Sequence, residues 1–114
     1  MIMHSIEWKN DKLYLLDQTR LPGTYIYMEY NDYLKVADAI KNLVVRGAPA
    51  IGVAAAYGML LAYQKFSRDC QDTATIEKQF LHAADTMKMA RPTAVNLFWA
   101  VDEMIKVFKN TKLE

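Results

Sequence analysis

From Gly47 to Tyr63 the chain runs 17 residues without a single charge, and a run of that kind has few places to go. Either it crosses a bilayer or it forms the centre of a folded domain, because a helix that is apolar on every face must be covered all round. The stretch is shorter than the roughly 20 residues of a membrane span. It is also rich in Ala and Gly and has Pro49 near its start. A buried central helix is therefore expected, opening at Pro49, a suitable first-turn residue, and running to about Phe66. Ala48, Gly52 and Ala56 form one row of small residues at spacing four, and Ala54, Gly58 and Ala62 form another. Such rows let neighbouring backbones come close. Two of the chain's four glycines lie inside this helix, at a propensity cost of about 1 kcal/mol each, so close approach is what they offer in return.

The segments around this helix supply its cover. Ile6 to Trp8, Leu13 to Leu16 and Tyr25 to Tyr30 are short β-favouring runs separated by the turn residues Asn10-Asp11 and Pro22-Gly23. A first helix is expected from a cap at Asn31 or Asp32, with Tyr33, Leu34, Ala37, Ile40 and Leu43/Val44 at helical spacing, ending at Arg46-Gly47. A third begins at Asp72 or Thr73, with Glu77 in its first turn and Ile76, Phe80, Ala83/Ala84 and Met87 on one face. A fourth starts at Arg91-Pro92-Thr93 and carries Ala94, Leu97/Phe98, Val101, Met104/Ile105 and Phe108. The expected class is α+β: a small N-terminal antiparallel β-meander over residues 1–30, then a four-helix bundle over 31–114, as one domain. A domain of this length can bury roughly two-thirds of its unfolded surface without disulfides or metal.

Fourteen Lys and Arg against thirteen Asp and Glu leave a net charge of +1 with no basic run, so nothing marks a nucleic-acid or anionic-membrane surface. Cys70 is the single cysteine; it has no partner for a disulfide and no neighbours at metal-ligand spacing. With no export signature at the N-terminus, a reducing, cytoplasmic setting is expected.

Chemistry concentrates in Val45-Arg46-Gly47-Ala48-Pro49-Ala50-Ile51-Gly52, where an arginine and a glycine stand just before a helix start. Free N–H groups and the positive end of the helix dipole make such a start an anion site, and glycine lets an oxyanion reach the main chain. Pro49 removes one donor, leaving the amides of Gly47, Ala48, Ala50 and Ile51. The alternative is that Gly47 only ends the first helix and Arg46 complements its dipole. Arg91-Pro92-Thr93 repeats the pattern, since proline keeps Arg91 out of helical geometry at the mouth of the fourth helix. Two guanidinium groups at two helix entrances could grip one phosphate in bidentate fashion; an idle surface role for Arg91 is the alternative. His4, His82 and Cys70 lack the companions that acid–base or thiol chemistry needs. Asp17-Gln18-Thr19 reads as a turn, and Asn96 and Asp102 as solvent or interface polars. No nucleophile triad, phosphate loop with its lysine, carboxylate pair or zinc signature can be assembled.

Leu16-Asp17-Gln18-Thr19-Arg20-Leu21-Pro22, the run from Val45 to Gly58, and Arg91-Pro92-Thr93-Ala94-Val95-Asn96-Leu97-Phe98-Trp99-Ala100 together resemble, in order and spacing, the N-terminal domain of the S-methyl-5-thioribose-1-phosphate isomerase family. That family shares a wider group with the regulatory subunits of translation initiation factor 2B and with ribose-1,5-bisphosphate isomerases; the full Arg-Gly-Ala-Pro-Ala-Ile-Gly run favours the methylthioribose branch. The resemblance implies an aldose–ketose isomerase of methionine salvage that converts 5-methylthioribose 1-phosphate to 5-methylthioribulose 1-phosphate without metal or organic cofactor. It implies substrate contact by Arg46, Gly47, Ala48 and Arg91, and a homodimer in the full-length enzyme. It also places the catalytic cysteine and aspartate in a C-terminal Rossmann-like domain absent from this sequence, so Cys70, Asp17 and Asp102 do not take those roles. Residues 1–114 are then expected to be an N-terminal substrate-gripping domain, inactive alone. The rival expectation is a non-catalytic regulatory or interaction module like the initiation-factor relatives.

Overall fold

A computed structural model describes residues 6–17, 19, 23, 26–42, 44, 48–69, 72–92 and 94–111. Its elements follow in order as β1 (Ile6–Lys9), β2 (Lys12–Leu16), β3 (Tyr27–Tyr30), α1 (Tyr33–Lys41), α2 (Ala48–Asp69), α3 (Thr73–Met89) and α4 (Val95–Thr111). The α+β expectation holds: a three-stranded antiparallel sheet in the order β1-β2-β3 precedes four helices.

The first hairpin turns on Asn10 and Asp11, both with positive φ (55° and 60°). That backbone matches the twist of the flanking strands, and Asn and Asp tolerate it better than other side-chain-bearing residues. It fixes the register Lys9↔Lys12 and Trp8↔Leu13. Alternation along β2 then buries Leu13 and Leu15 and turns Tyr14 outward. Across from it, Glu29 accepts a 2.8 Å hydrogen bond from the Tyr14 hydroxyl and pairs with Lys12 at 3.3 Å. The hydroxyl, with the lysine in second place, holds the Glu29 carboxyl below its ordinary range; the same hydrogen bond pushes Tyr14 up.

Asp32 caps α1 by accepting from the Leu34 N–H at 2.9 Å. The helix stops at Lys41, with Asn42 as its C-cap, short of the Arg46-Gly47 end expected from the apolar spacing. The Val44 N–H donates back to the Ala39 carbonyl at 3.0 Å, an i→i−5 bond of the kind that closes a helix, and Val44 packs against the core. A hydrophobic residue in that position commonly seals a helix end. This is why the apolar pattern outlasts the helix.

α2 is central as expected, touching every other helix and two strands. It begins at Ala48, one residue before the expected start, and runs three past the expected end, to Asp69. Its small-residue rows each face a neighbour. A Cβ on Gly52 would lie 3.2 Å from the Asn96 carbonyl oxygen and 3.7 Å from Ala100 Cβ in α4; one on Gly58 would lie 2.5 Å from Met87 Cε in α3 and 3.1 Å from Val36 Cγ1 in α1. Trp8 stacks on Tyr57 at 5.1 Å between ring centroids and ties the sheet to α2. At the far end Phe80 stacks on Phe108 at 4.7 Å, with Tyr63 edge-on to both.

Two expected details of the later helices are corrected. α3 starts at Thr73 after the cap residue Asp72, so Glu77 is its fifth residue and no acidic residue occupies the first turn. Asp72 instead accepts from the Thr75 hydroxyl at 2.6 Å, which favours the ionised carboxylate and holds the group below its ordinary range. α4 starts at Val95, not at Arg91-Pro92-Thr93. Among the described residues no helix is long and apolar enough to cross a membrane.

Candidate functional site

The early end of α1 changes the weighing of the Gly47 motif. With the C-cap at Asn42 and Lys41 as the basic residue of the last turn, Gly47 stands five positions past the cap and does not end that helix. Arg46 and Gly47 themselves lie outside the described residues, as do Thr93, Cys70 and His4. Ala48 is the first residue of α2, so the N–H groups of Ala48, Ala50 and Ile51 belong to the opening turn that has no acceptor inside the helix.

α2 and α4 run side by side in the same direction. Gly52 lies against Asn96 and Ala100, and eleven residues further along Tyr63 lies against Phe108 at 5.8 Å. Gly52 is the fifth residue of α2 and Asn96 the second of α4, so α2 starts only about one turn ahead of its neighbour. Both positive dipole ends therefore sit at one end of the molecule. α3 is antiparallel to this pair, with Met87 against Gly58 and Phe80 against Tyr63 and Phe108. Its C-terminus delivers the chain to that same end.

Arg91 is in this delivery segment. It is half-buried and stands in the connection between α3 and α4, four residues ahead of Val95. The Ala90 N–H donates to the Met87 carbonyl at 3.1 Å and the Ala94 N–H to the Arg91 carbonyl at 3.0 Å, while the Ala94 carbonyl receives the first bonds of α4 from Leu97 and Phe98. Pro92 thus sits in a separate turn ahead of the helix rather than in its opening turn.

Other singled-out residues take structural places. Asp17 is buried and accepts from the Thr19 N–H at 3.0 Å and the Thr19 hydroxyl at 2.5 Å, closing the local turn that the sequence suggested. Asp102 pairs with Lys88 at 2.7 Å. His82 is exposed on α3, where its carbonyl accepts from the Thr86 hydroxyl. Among the described residues no cluster of His, Cys, Asp and Glu could hold a metal ion.

One feature was missed. Along the open side of the α2/α4 pair runs a groove of about 440 Å³ lined by Val53, Ala56, Asn96, Trp99, Glu103 and Met104, among others. Trp99 is 65% exposed there. Its signal was present: Trp99 falls beside, not on, the stripe Leu97/Phe98, Val101, Met104/Ile105 that faces the core.

Comparison with known proteins decides the family. The model of the initiation factor 2 subunit family matches residues 44–114, the segment carrying both helix entrances. The chain belongs to this family. It is 49% identical over 107 residues to a methylthioribose-1-phosphate isomerase of Geobacter sulfurreducens, covering 94% of this chain and 30% of that protein. It is 53% identical over 105 residues to methylthioribose-1-phosphate isomerase 2 of Pseudothermotoga lettingae, covering 92% and 29%. Among solved structures, it superposes on the 5-methylthioribose 1-phosphate isomerase of Pyrococcus horikoshii with a TM-score of 0.91 at 34% identity, covering 99% of this chain and 31% of the other. It also superposes on the delta subunit of the translation initiation factor eIF-2B from A. fulgidus with a TM-score of 0.80 at 36% identity, covering 96% and 35%. The family member described here therefore spans about 30% of the length of the curated relatives it matches.

Proposed function

We propose that this chain is the N-terminal, phosphate-gripping part of an isomerase that converts 5-methylthioribose 1-phosphate to 5-methylthioribulose 1-phosphate. The observation that carries the proposal is the parallel pair α2 and α4, whose starts lie side by side, with Arg91 in the turn leading to α4. A dianionic phosphate is the ligand such an end suits: free amides, two aligned dipoles and guanidinium groups all favour negative charge. The names carried by relatives at 49% and 53% identity support the same substrate.

Arg46, Gly47, Ala48 and Arg91 are the proposed contacts, with Arg46 and Gly47 preceding the first turn of α2 and Arg91 approaching from the α3–α4 turn. Their role is binding and orientation. A phosphate on the anomeric carbon blocks spontaneous ring opening, so the reaction needs a proton on the ring oxygen and transfer of hydrogen between C1 and C2. Those steps fall to a C-terminal catalytic domain, and residues 1–114 form a single domain that holds substrate for it.

The test has two arms. Arg46→Ala in a full-length isomerase is expected to lower kcat/KM at least about tenfold, equivalent to about 1.4 kcal/mol, through loss of a charge-assisted contact; unchanged kinetics would remove that residue from the site. In the 114-residue chain, inorganic phosphate is expected to shift the amide signals of Ala48, Ala50, Ile51 and Arg91. Silence at all four would favour the second reading, a regulatory module that docks on protein, for which the likeness to the eIF-2B delta subunit is the supporting observation.

A further inference from the structure

Arg91 stands in a connection of only five residues, 90–94, between the last residue of α3 and the first of α4. Its place relative to the start of α2 is therefore set by how the two helix ends are held against each other. On the inside they are held by apolar packing: Met87 and Leu97, one on each side of the connection, are fully buried. Apolar contact is strong but non-directional, and it resists separation better than rotation.

The directional contact lies on the outside. Lys88, in the last turn of α3, places its ammonium 2.7 Å from Asp102 Oδ1 and 5.5 Å from the centroid of the Phe98 ring. Phe98 and Asp102 are four residues apart, so they present a ring and a carboxylate from successive turns of one face of α4. A single cation three residues before Arg91 thus spans from the end of α3 to the second and third turns of α4. The Lys88 side chain is 23% exposed and that of Asp102 is 55% exposed. A pair this open to solvent adds little to stability, so its loss leaves the fold standing and removes mainly a geometric constraint. That constraint matters because a displacement of about 1 Å in a substrate-positioning group can cost on the order of 100-fold in rate.

We propose that Lys88, through Asp102 and Phe98, is a positioning residue for Arg91, fixing the α3–α4 turn so that the Arg91 guanidinium is presented to a phosphate at the start of α2. The value of that position for binding rests on the proposed phosphate site; the clamp on Arg91 does not.

The experiment uses the ¹⁵N-labelled 114-residue chain and compares wild type with Lys88→Met, Lys88→Arg and Asp102→Asn. The first readout is relaxation of the Arg91 Nε–Hε group without ligand. It is expected to show faster motion in Lys88→Met and Asp102→Asn and wild-type order in Lys88→Arg. The second is the Kd for inorganic phosphate, expected to rise about threefold or more in both disrupting variants, the low end for coupled neighbours. Melting temperatures should fall by no more than about 4 °C. Asp102→Asn separates positioning from direct contact. If Lys88 itself bound phosphate, freeing it from Asp102 would tighten binding, and that result overturns the proposal. Wild-type motion of Arg91 in Lys88→Met overturns it as well. If wild-type protein ignores phosphate, the proposed function fails, and the relaxation comparison alone still decides the clamp.

Discussion

Tyr30 ends β3 and Tyr33 begins α1, and burial lifts the ionisation of both phenols above the ordinary value of 10.0, with Asp17 and Asp38 adding to the effect at Tyr30 and Asp32 at Tyr33. The folded state therefore holds these protons more tightly than the unfolded chain. Their contribution to stability is complete below about pH 10 and drains away as pH rises through the elevated values of the folded protein. Urea midpoints measured from about pH 8 to about pH 11 should fall across the upper part of that range, and Tyr30→Phe should flatten the decline. At this scale the sequence was informative about type and less so about address. Pro92 marked Arg91 as a side chain kept out of helical geometry, which holds, but α4 opens at Val95 because the intervening turn is closed by its own Arg91–Ala94 bond. Proline is equally at home in a first helical turn and in a turn ahead of it, so composition alone could not separate the two.

Among the elements, α2 was the most legible, since an uncharged run with rows of small residues has one comfortable position in a small domain. What each row faces was not legible, because that depends on helices folding back from far along the chain. Gly58 is the sharper case. A methyl group there would meet the movable end of Met87 and the branched, stiff Val36. Gly58→Ala is expected to destabilise by about 1 kcal/mol in thermal melts, with overpacking outweighing alanine's helix propensity. A rise in melting temperature would mean that Met87 swings clear and propensity wins. α1 teaches the opposite lesson, since its apolar spacing continues through Val44, where periodicity reports burial rather than helix. The Asn10-Asp11 hairpin was readable because only a few residue types accept its backbone.

For the whole molecule, the β-then-α order and the central helix could be derived from pattern, whereas the parallel course of α2 and α4 could not. It follows from α3 running back between them, and it is what brings two helix starts to one end. Because the proposed function assigns this domain substrate binding rather than acid–base chemistry, the purified 114-residue chain is expected to unfold in a single cooperative transition and to show no turnover of 5-methylthioribose 1-phosphate. Isomerisation by a preparation free of host enzyme would relocate the chemistry into this domain.

The two tryptophans occupy opposite surroundings: Trp8 lies flat on Tyr57, and Trp99 stands 65% exposed in the groove between α2 and α4. The molecule thereby carries its own optical gauge. In Trp8→Phe protein the remaining indole should emit like a water-bathed one and be readily quenched by acrylamide. Any body that settles over the groove will announce itself as a blue shift, with no label attached.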